Sequence, residues 1–383
     1  MVKNKRLVKY FFGLSLFLFL IVPIVNTIGF FTEHKFKQFR KVDKNMLFNT
    51  DKVQSVFSYL AFKIFDKSLF PNYVVTGKDG FLFLGNGYAD VLDKSSGTFM
   101  ITDEEIIQFT EKLYALQNWY ENQGIKFVMT IAPNKHSIYK EKLPNWAAYD
   151  GDTVTDRIIV QSKRYDINLV DLRPALLEAK ASENRLLYQK TDTHWNMLGA
   201  SYGYEKTIDY MNEKFELNVP KPIYKVEHLV AENHRGGLFR FLKANETFNI
   251  QDYNTYDYNF QNDVNVCHGK IGKKSGKLKK CNDKENPIMA IKWQPQYMIN
   301  NNVPKVKLLF LCDSFATTPS KLYNASFNTM YKLSWGGFKG KRLKKFIKRN
   351  KPDIVLYQIV ERAILKPSVT SIVNKGKKHV RQK

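Results

Sequence analysis

Cysteine is scarce in this chain, with three residues in 383, and acidic side chains are few, with 36 Asp and Glu against 60 Lys and Arg. Three cysteines make no disulfide framework. Cys267 and Cys281, 14 residues apart in a polar basic segment, either pair where conditions oxidise or stay as two thiols. Only His268 stands beside them, too few donors for a zinc module. There is no internal repeat. The deficit of acid leaves a formal charge of +24, which suits a polyanionic partner: nucleic acid, anionic lipid or acidic glycan. Disorder is excluded by composition, since 44% of residues are hydrophobic and 14% aromatic. The length accommodates one large domain with insertions or two ordinary ones.

A long apolar run is present. Lys3, Lys5, Arg6 and Lys9 precede an uncharged stretch at 10–31, long enough to cross a bilayer as a helix. No small-x-small cleavage site follows, which predicts an uncleaved anchor. Basic residues before the span and a long domain after it predict an N-in, C-out orientation, with residues 1–9 cytoplasmic. Pro23 inside the span is tolerable in a bilayer helix. The rest of the chain is then extracytoplasmic, which removes nucleic acid from the partners.

Residues 32–72 predict a juxtamembrane linker with a short helix. Asp79-Gly80 between two apolar runs at 73–86 predicts a hairpin. Thr102 and Glu105 form a capping box ahead of a helical pattern that ends at Gly124. Apolar runs at 125–133, 167–172, 185–189, 306–312 and 353–360 predict buried strands. Helical patterns near 152–163, 174–181, 198–215 and 341–349 separate them. This alternation predicts an α/β fold with a parallel sheet flanked by helices. A polar, aromatic and basic stretch at 217–304 breaks the rhythm and reads as an insertion, partly β. In such sheets ligands sit at the carboxyl ends of strands. "PNKHSIY", "KTDTHW" and "DSF" would then share one rim.

The rim carries the chemistry. Ser314 follows an apolar strand, where a nucleophile finds backbone N–H groups for an oxyanion. A serine needs a base, and "TDTHW" offers one: Asp192 can hold one ring nitrogen of His194 while the other faces the serine. A metal site and a satisfied structural pair are the competing readings of Asp192 and His194. Asn134 and Lys135 are candidates for substrate or oxyanion contacts, or a turn cap. Trp195 either packs under the loop or forms a sugar platform, and Trp335 closes another strand beside the cleft. His136 reads as a surface histidine, Glu361-Arg362 as an internal ion pair, and His234-Arg235 as a solvated loop. "KGKRLKKFIKRNK" (339–351) reads as a sheet-covering helix with a cationic face, solvated or drawn to anionic lipid or acidic polysaccharide.

"GKDGFLFLG", "APNKHSIY", "DTHWN", "CDSF" and "KPDIVLYQIVER" occur in an order that resembles the AlgX/AlgJ-like, SGNH hydrolase-like O-acetyltransferases of bacterial exopolysaccharides. The resemblance covers roughly residues 73–362 and implies a flavodoxin-like sheet. It implies Ser314 as acyl-accepting nucleophile, His194 as general acid/base and Asp192 as its orienting carboxylate. Cys312 stands where the family glycine would precede Asp-Ser, and nothing resembling a carbohydrate-binding domain follows the match, as in AlgJ rather than AlgX. The resemblance further implies a polysaccharide acceptor, no bound cofactor or metal, and an acetyl donor supplied by a small molecule or a multi-pass membrane acyltransferase. The domain plan is an acetyltransferase domain at 73–365, insertion 217–304 included, with a basic tail at 366–383. A carbohydrate esterase on the same fold and a non-catalytic glycan-binding component are the alternatives.

Overall fold

The computed structural model describes residues 2–32, 48–149, 151–229, 236–244, 252, 255–262, 264–281 and 295–373. His234 and Arg235 lie outside them, as do residues 374–383.

Eleven strands form three sheets among the described residues: β1 (Val74–Thr76), β2 (Leu82–Leu84), β3 (Lys126–Ala132), β4 (Leu169–Asp171), β5 (Tyr224–His228), β6 (Tyr256–Phe260), β7 (Cys267–Lys270), β8 (Gln296–Ile299), β9 (Lys307–Cys312), β10 (Thr329–Ser334) and β11 (Ile354–Val360). The main sheet has the order β4-β3-β11-β9-β10-β8-β7. Its first five strands run parallel, and β8 and β7 add antiparallel pairs at one edge. The segment at 217–304 is therefore no appendage: it contributes a separate hairpin, β5 with β6, and two strands of the main sheet.

Register assigns the two faces. Phe127, Val355, Leu309 and Tyr331 lie in one row across the strands, and side chains alternate faces along a strand. That face meets helix Asp103–Glu121, whose Tyr120 hydroxyl bonds the Tyr357 hydroxyl at 3.0 Å. It also meets helix Gly340–Asn350 through Phe346, 5.5 Å from the Tyr331 ring. Phe310 on the opposite face packs 4.8 Å from Tyr323 of helix Ser320–Ser326, which in turn contacts Tyr204 of helix Met197–Phe215. Both faces are covered, so the central strands carry continuous apolar runs.

Thr102 caps its helix as its spacing predicts, the hydroxyl accepting from Glu105 N at 3.1 Å and the Glu105 carboxylate accepting from Thr102 N at 2.9 Å. Lys78-Asp79-Gly80 turns the β1–β2 hairpin, with Asp79 and Gly80 at φ of 55° and 77°. The strand predicted at 185–189 does not form. Leu187 and Tyr188 are fully buried, but the segment is a loop with one bridge, Tyr188 to Trp195. Its polar backbone is satisfied elsewhere: the Tyr139 hydroxyl accepts from Leu187 N, and Asn196 Nδ2 donates to Leu186 O. An apolar run records burial, and here burial comes without a sheet partner.

The cysteines 267 and 281 form a disulfide, Cα to Cα 5.8 Å. Val2–Thr32 is helical, and Val8–Ile28 within it is long and apolar enough to cross a membrane. Val369 and Ile372 are buried, so the packed chain runs past the boundary expected at 365.

Leu356, central in β11 and without exposed surface, gives a direct test of this core. Leu356→Ala should lower the unfolding free energy by about 2–5 kcal/mol, read from urea titration of the full chain in uncharged detergent.

Candidate active site

The strand ends of the parallel half converge. β3 leads to Asn134, β9 to Ser314, β10 to Trp335 and β11 to Arg362. Asp313 ties two of these ends together: one carboxylate oxygen accepts from Phe315 N at 3.0 Å and the other from Val360 N at 2.6 Å. Burial raises its pKa, against the pull of those two N–H groups and of Arg362. Ser314 thus opens a short 3-10 turn, Ser314–Thr317, fixed to the mouth of β11. Cys312, one residue before Asp313, is a buried thiol continuing β9, its pKa pushed up to about 12 by burial.

The loop with Asp192 and His194 comes from no strand end, so other groups hold it. The Lys135 ammonium, buried beneath it, donates to the carbonyls of Gln189 (3.0 Å), Lys190 (2.9 Å) and Asp192 (2.6 Å). Three acceptors use all three ammonium protons, while burial pushes the pKa down to about 7. From the insertion, the Asp252 carboxylate accepts from Thr191 N at 2.7 Å and from its hydroxyl at 2.9 Å. Gly236 N and Leu238 N donate to the Thr191 hydroxyl and carbonyl, at 3.1 and 3.0 Å. A Cβ on Gly236 would overlap the backbone of Thr191 and Asp192, so only glycine allows this approach.

Held in this way, Asp192 Oδ1 accepts from His194 Nδ1 at 2.7 Å and from His194 N at 2.9 Å, and Oδ2 accepts from Gly237 N at 2.6 Å. The other ring nitrogen, Nε2, lies 2.8 Å from Ser314 Oγ. An ionised carboxylate can only accept, which puts the proton on Nδ1 and leaves Nε2 to accept from the serine hydroxyl. Burial favours the neutral acid at Asp192, yet the hydrogen bond and electrostatic pull of His194 and the N–H groups of Gly237 and His194 outweigh it. They hold the carboxyl well below the usual range.

Phe315 is the packing centre, its buried ring 4.8 Å from His194 and 5.6 Å from Trp195, with the Arg362 guanidinium 5.4 Å above it. Trp195 lies under the Asp192–His194 loop, its Nε1 donating to Phe315 O at 2.9 Å. Ser314 opens on two sides. A cleft of about 630 Å³ is lined by Tyr88, Trp335, Arg362 and Lys366. Another of about 450 Å³ is lined by His194, Trp195, Met197, Tyr256 and Thr317.

The remaining candidates fall in other places than their motifs suggest. Asn134 is buried and accepts from Arg362 Nη1 at 2.8 Å, so it sits behind the arginine rather than in the cleft wall. Lys135 reaches loop carbonyls, not the cleft. His136 is a buried residue, not a surface one. Its Nε2 lies 2.9 Å from Leu84 O, and burial lowers its pKa to about 3. Glu361 and Arg362 do not pair: Glu361 accepts from Asn134 N and Ser137 Oγ and faces Arg173 at 3.6 Å, while Arg362 turns to the cleft. Adjacent residues leaving a strand point apart, which the pairing expectation overlooked. Sequence reasoning missed Gly236, Gly237, Asp252 and Arg362 as parts of the site; the Gly236-Gly237 pair was the available signal. Among the described residues, no group of three or more His, Cys, Asp or Glu could hold a metal ion.

Residues 74–270 match the family model described as "SGNH hydrolase-like domain, acetyltransferase AlgX". The chain belongs to this family. The AlgX match ends before Ser314 and includes the Asp192–His194 loop. "Probable alginate O-acetylase AlgJ" of Pseudomonas aeruginosa is 26% identical over 176 residues, 46% of this chain and 42% of that protein. The Pseudomonas putida protein of the same description is 23% identical over 51% of this chain and 48% of its own. The chain therefore aligns with less than half the length of these relatives. Among solved structures, Bacillus cereus PatB1 with a sulfonyl adduct superposes with a TM-score of 0.55 at 17% identity, over 78% of this chain and 99% of that one. A DHHW family protein from Eubacterium siraeum gives 0.54 at 16% identity, over 78% and 97%. These likenesses establish the fold.

Two outcomes test the clamp. Gly236→Ala should speed hydrogen exchange at the amides of Gly237 and His194, which donate to Asp192, while amides of β9 and β11 stay protected. Asp192 has a depressed folded pKa, so its contribution to stability is present above the unfolded value of about 3.9 and is lost as pH falls toward the folded one. Asp192→Asn should therefore flatten the fall in urea midpoint between about pH 5 and pH 3.

Proposed function

We propose that the domain that begins at residue 73 is a serine-centred O-acetyltransferase that places acetyl groups on hydroxyls of an exported or cell-surface polysaccharide. The observation that carries this reading is the hydrogen-bonded line Asp192–His194–Ser314, at 2.7 and 2.8 Å, in a chain of the AlgX family. In the first half-reaction His194 Nε2 takes the Ser314 proton as Oγ attacks the acetyl carbonyl carbon. The tetrahedral intermediate collapses, and His194 returns the proton to the leaving group, leaving acetyl-Ser314. In the second half a sugar hydroxyl attacks that ester, His194 takes its proton, and Ser314 Oγ leaves and is reprotonated. Asp192 keeps the ring in the tautomer both halves need. Arg362, a cation in the wall of the larger cleft, is suited to oppose negative charge on the carbonyl oxygen. Two clefts meeting at Ser314 support transfer, because donor and acceptor can approach from different sides.

The reading calls for no bound cofactor or metal, since the acetyl group rides on the serine. It places residues 10–31 in the membrane with the domain on the extracytoplasmic, periplasmic side. An acetyl donor does not cross to that compartment unaided, so a small-molecule donor or a multi-pass membrane acyltransferase must present it.

Incubating the full chain in detergent with an aryl acetate should give a burst of phenol and one added acetyl group on the peptide containing Ser314, read by mass spectrometry. Ser314→Ala should abolish both, and His194→Ala should slow acylation by about 10²–10⁴-fold. Acetyl on an added oligosaccharide marks the transferase. Free acetate alone, with an acceptor present, would reassign the protein as an esterase. Labelling elsewhere than Ser314 would overturn the reading.

A further inference from the structure

The antiparallel edge of the sheet carries a surface that the acyl-transfer site does not use. Residues 267–281 hold six lysines and no carboxylate, and residues 339–351 hold six lysines and two arginines, again with no carboxylate. The fold brings the two segments together. Cys267 begins β7 and its disulfide to Cys281 closes the first segment into a loop. Within it Gly272 N donates to Lys277 O at 2.9 Å and Lys279 N to Lys270 O at 2.9 Å. The second segment is the helix over Tyr331. Arg342 Nη1 donates to Lys273 O at 2.9 Å and Arg349 Nη1 to Gly276 O at 3.2 Å, lashing loop to helix. Phe338 and Phe346 lie beneath Gly276.

All twelve lysines in the two segments are exposed, and among the described residues none forms an ion pair. So many like charges repel one another, and a fold that holds them side by side with a disulfide and two arginine ties keeps a strong local field. The two guanidiniums are spent partly on backbone carbonyls, so recognition falls to lysine ammoniums, which act as point charges without a stereochemical fork. Such a surface suits a long anion with charge repeated along it. A bilayer is the poorer fit, because the patch offers little to insert: Leu278, at 37%, is its one exposed large apolar residue. Position agrees. The helix begins four residues past Gly336, which lines the larger Ser314 cleft with Arg362 and Lys366. The cleft wall thus carries two cations, Arg362 and Lys366, and through Gly336 it adjoins the start of the basic helix in the chain.

We propose that the disulfide-closed loop 267–281 and the helix Gly340–Asn350 form an exosite for a linear polyanionic glycan, holding the chain while its hydroxyls are presented at Ser314. The link to acetylation rests on the proposed function; the binding itself does not. The test measures binding, not turnover, of the full chain in uncharged detergent to polygalacturonate, with dextran as the neutral control and vesicles containing anionic lipid as a further arm. Wild type and Ser314→Ala should bind polygalacturonate alike, well above dextran, with affinity falling steeply as salt rises. Replacing Lys273, Lys274, Lys277, Lys341, Lys345 and Lys348 by Gln should weaken binding at least about tenfold and flatten the salt dependence by several released counterions. Its aryl-acetate burst should match wild type, since none of the six lines either cleft. Binding equal to dextran, or undiminished in the sixfold variant, overturns the exosite. So does preference for anionic vesicles over the glycan, which would make the patch a membrane contact. A missing burst in wild type alongside intact glycan binding would sink the acetyltransferase reading and leave the exosite standing.

Discussion

The site depends on one buried ammonium. Lys135 sits at the end of β3 and donates to three carbonyls of a loop that no strand holds. Ser314 needs no such help, because β9 delivers it and Asp313 locks its turn to β11. Ser314 is thus positioned by the sheet, while the loop of His194 is positioned by a cation and by the insertion. A buried ammonium left unpaired would be costly, and each carbonyl it loses would be a buried acceptor without a partner. That double penalty makes Lys135 a strong tie, beside those from Asp252 and Gly236.

The insertion completes the clamp from above. Asp252 and Gly236 grip Thr191, and Gly237 donates to the free oxygen of Asp192. Asp192 therefore accepts from both sides of the loop: the pair with His194 contributes most to keeping it ionised, and the N–H groups of Gly237 and His194 add to it. Backbone groups and a glycine supply part of this grip, beside the side chains of Lys135 and Asp252. The close approach of main chain at Gly236 is what lets Gly237 reach Asp192.

Much of the fold was legible in the sequence because its signals are local. The strands at 126–132, 307–312 and 354–360 are long runs buried on both faces, and the capping box at Thr102 marks its helix within a residue. The loop at 185–189 was misjudged because Leu187 and Tyr188 are as buried as any strand residue, and hydropathy does not say which backbone partner is present. Asp192, His194 and Ser314 stood out because their residue types are rare together in short motifs. Lys135 and Arg362 were harder: a buried cation leaves no pattern until its acceptors, 54 to 57 residues away for Lys135, are known. Gly236 carried a signal only once the distance to Thr191 was visible.

Cys312 ends the central strand β9 as a sealed thiol, while Cys267 and Cys281 are joined at the β7 edge of the sheet. Three cysteines admit three pairings, and two of them would require the residue that precedes Asp313. Once β9 is laid between β11 and β10, its sulfur is withdrawn from exchange, and oxidation has a single product. In the folded sheet the strand that presents Ser314 also keeps out of reach the one thiol that could mispair the basic loop.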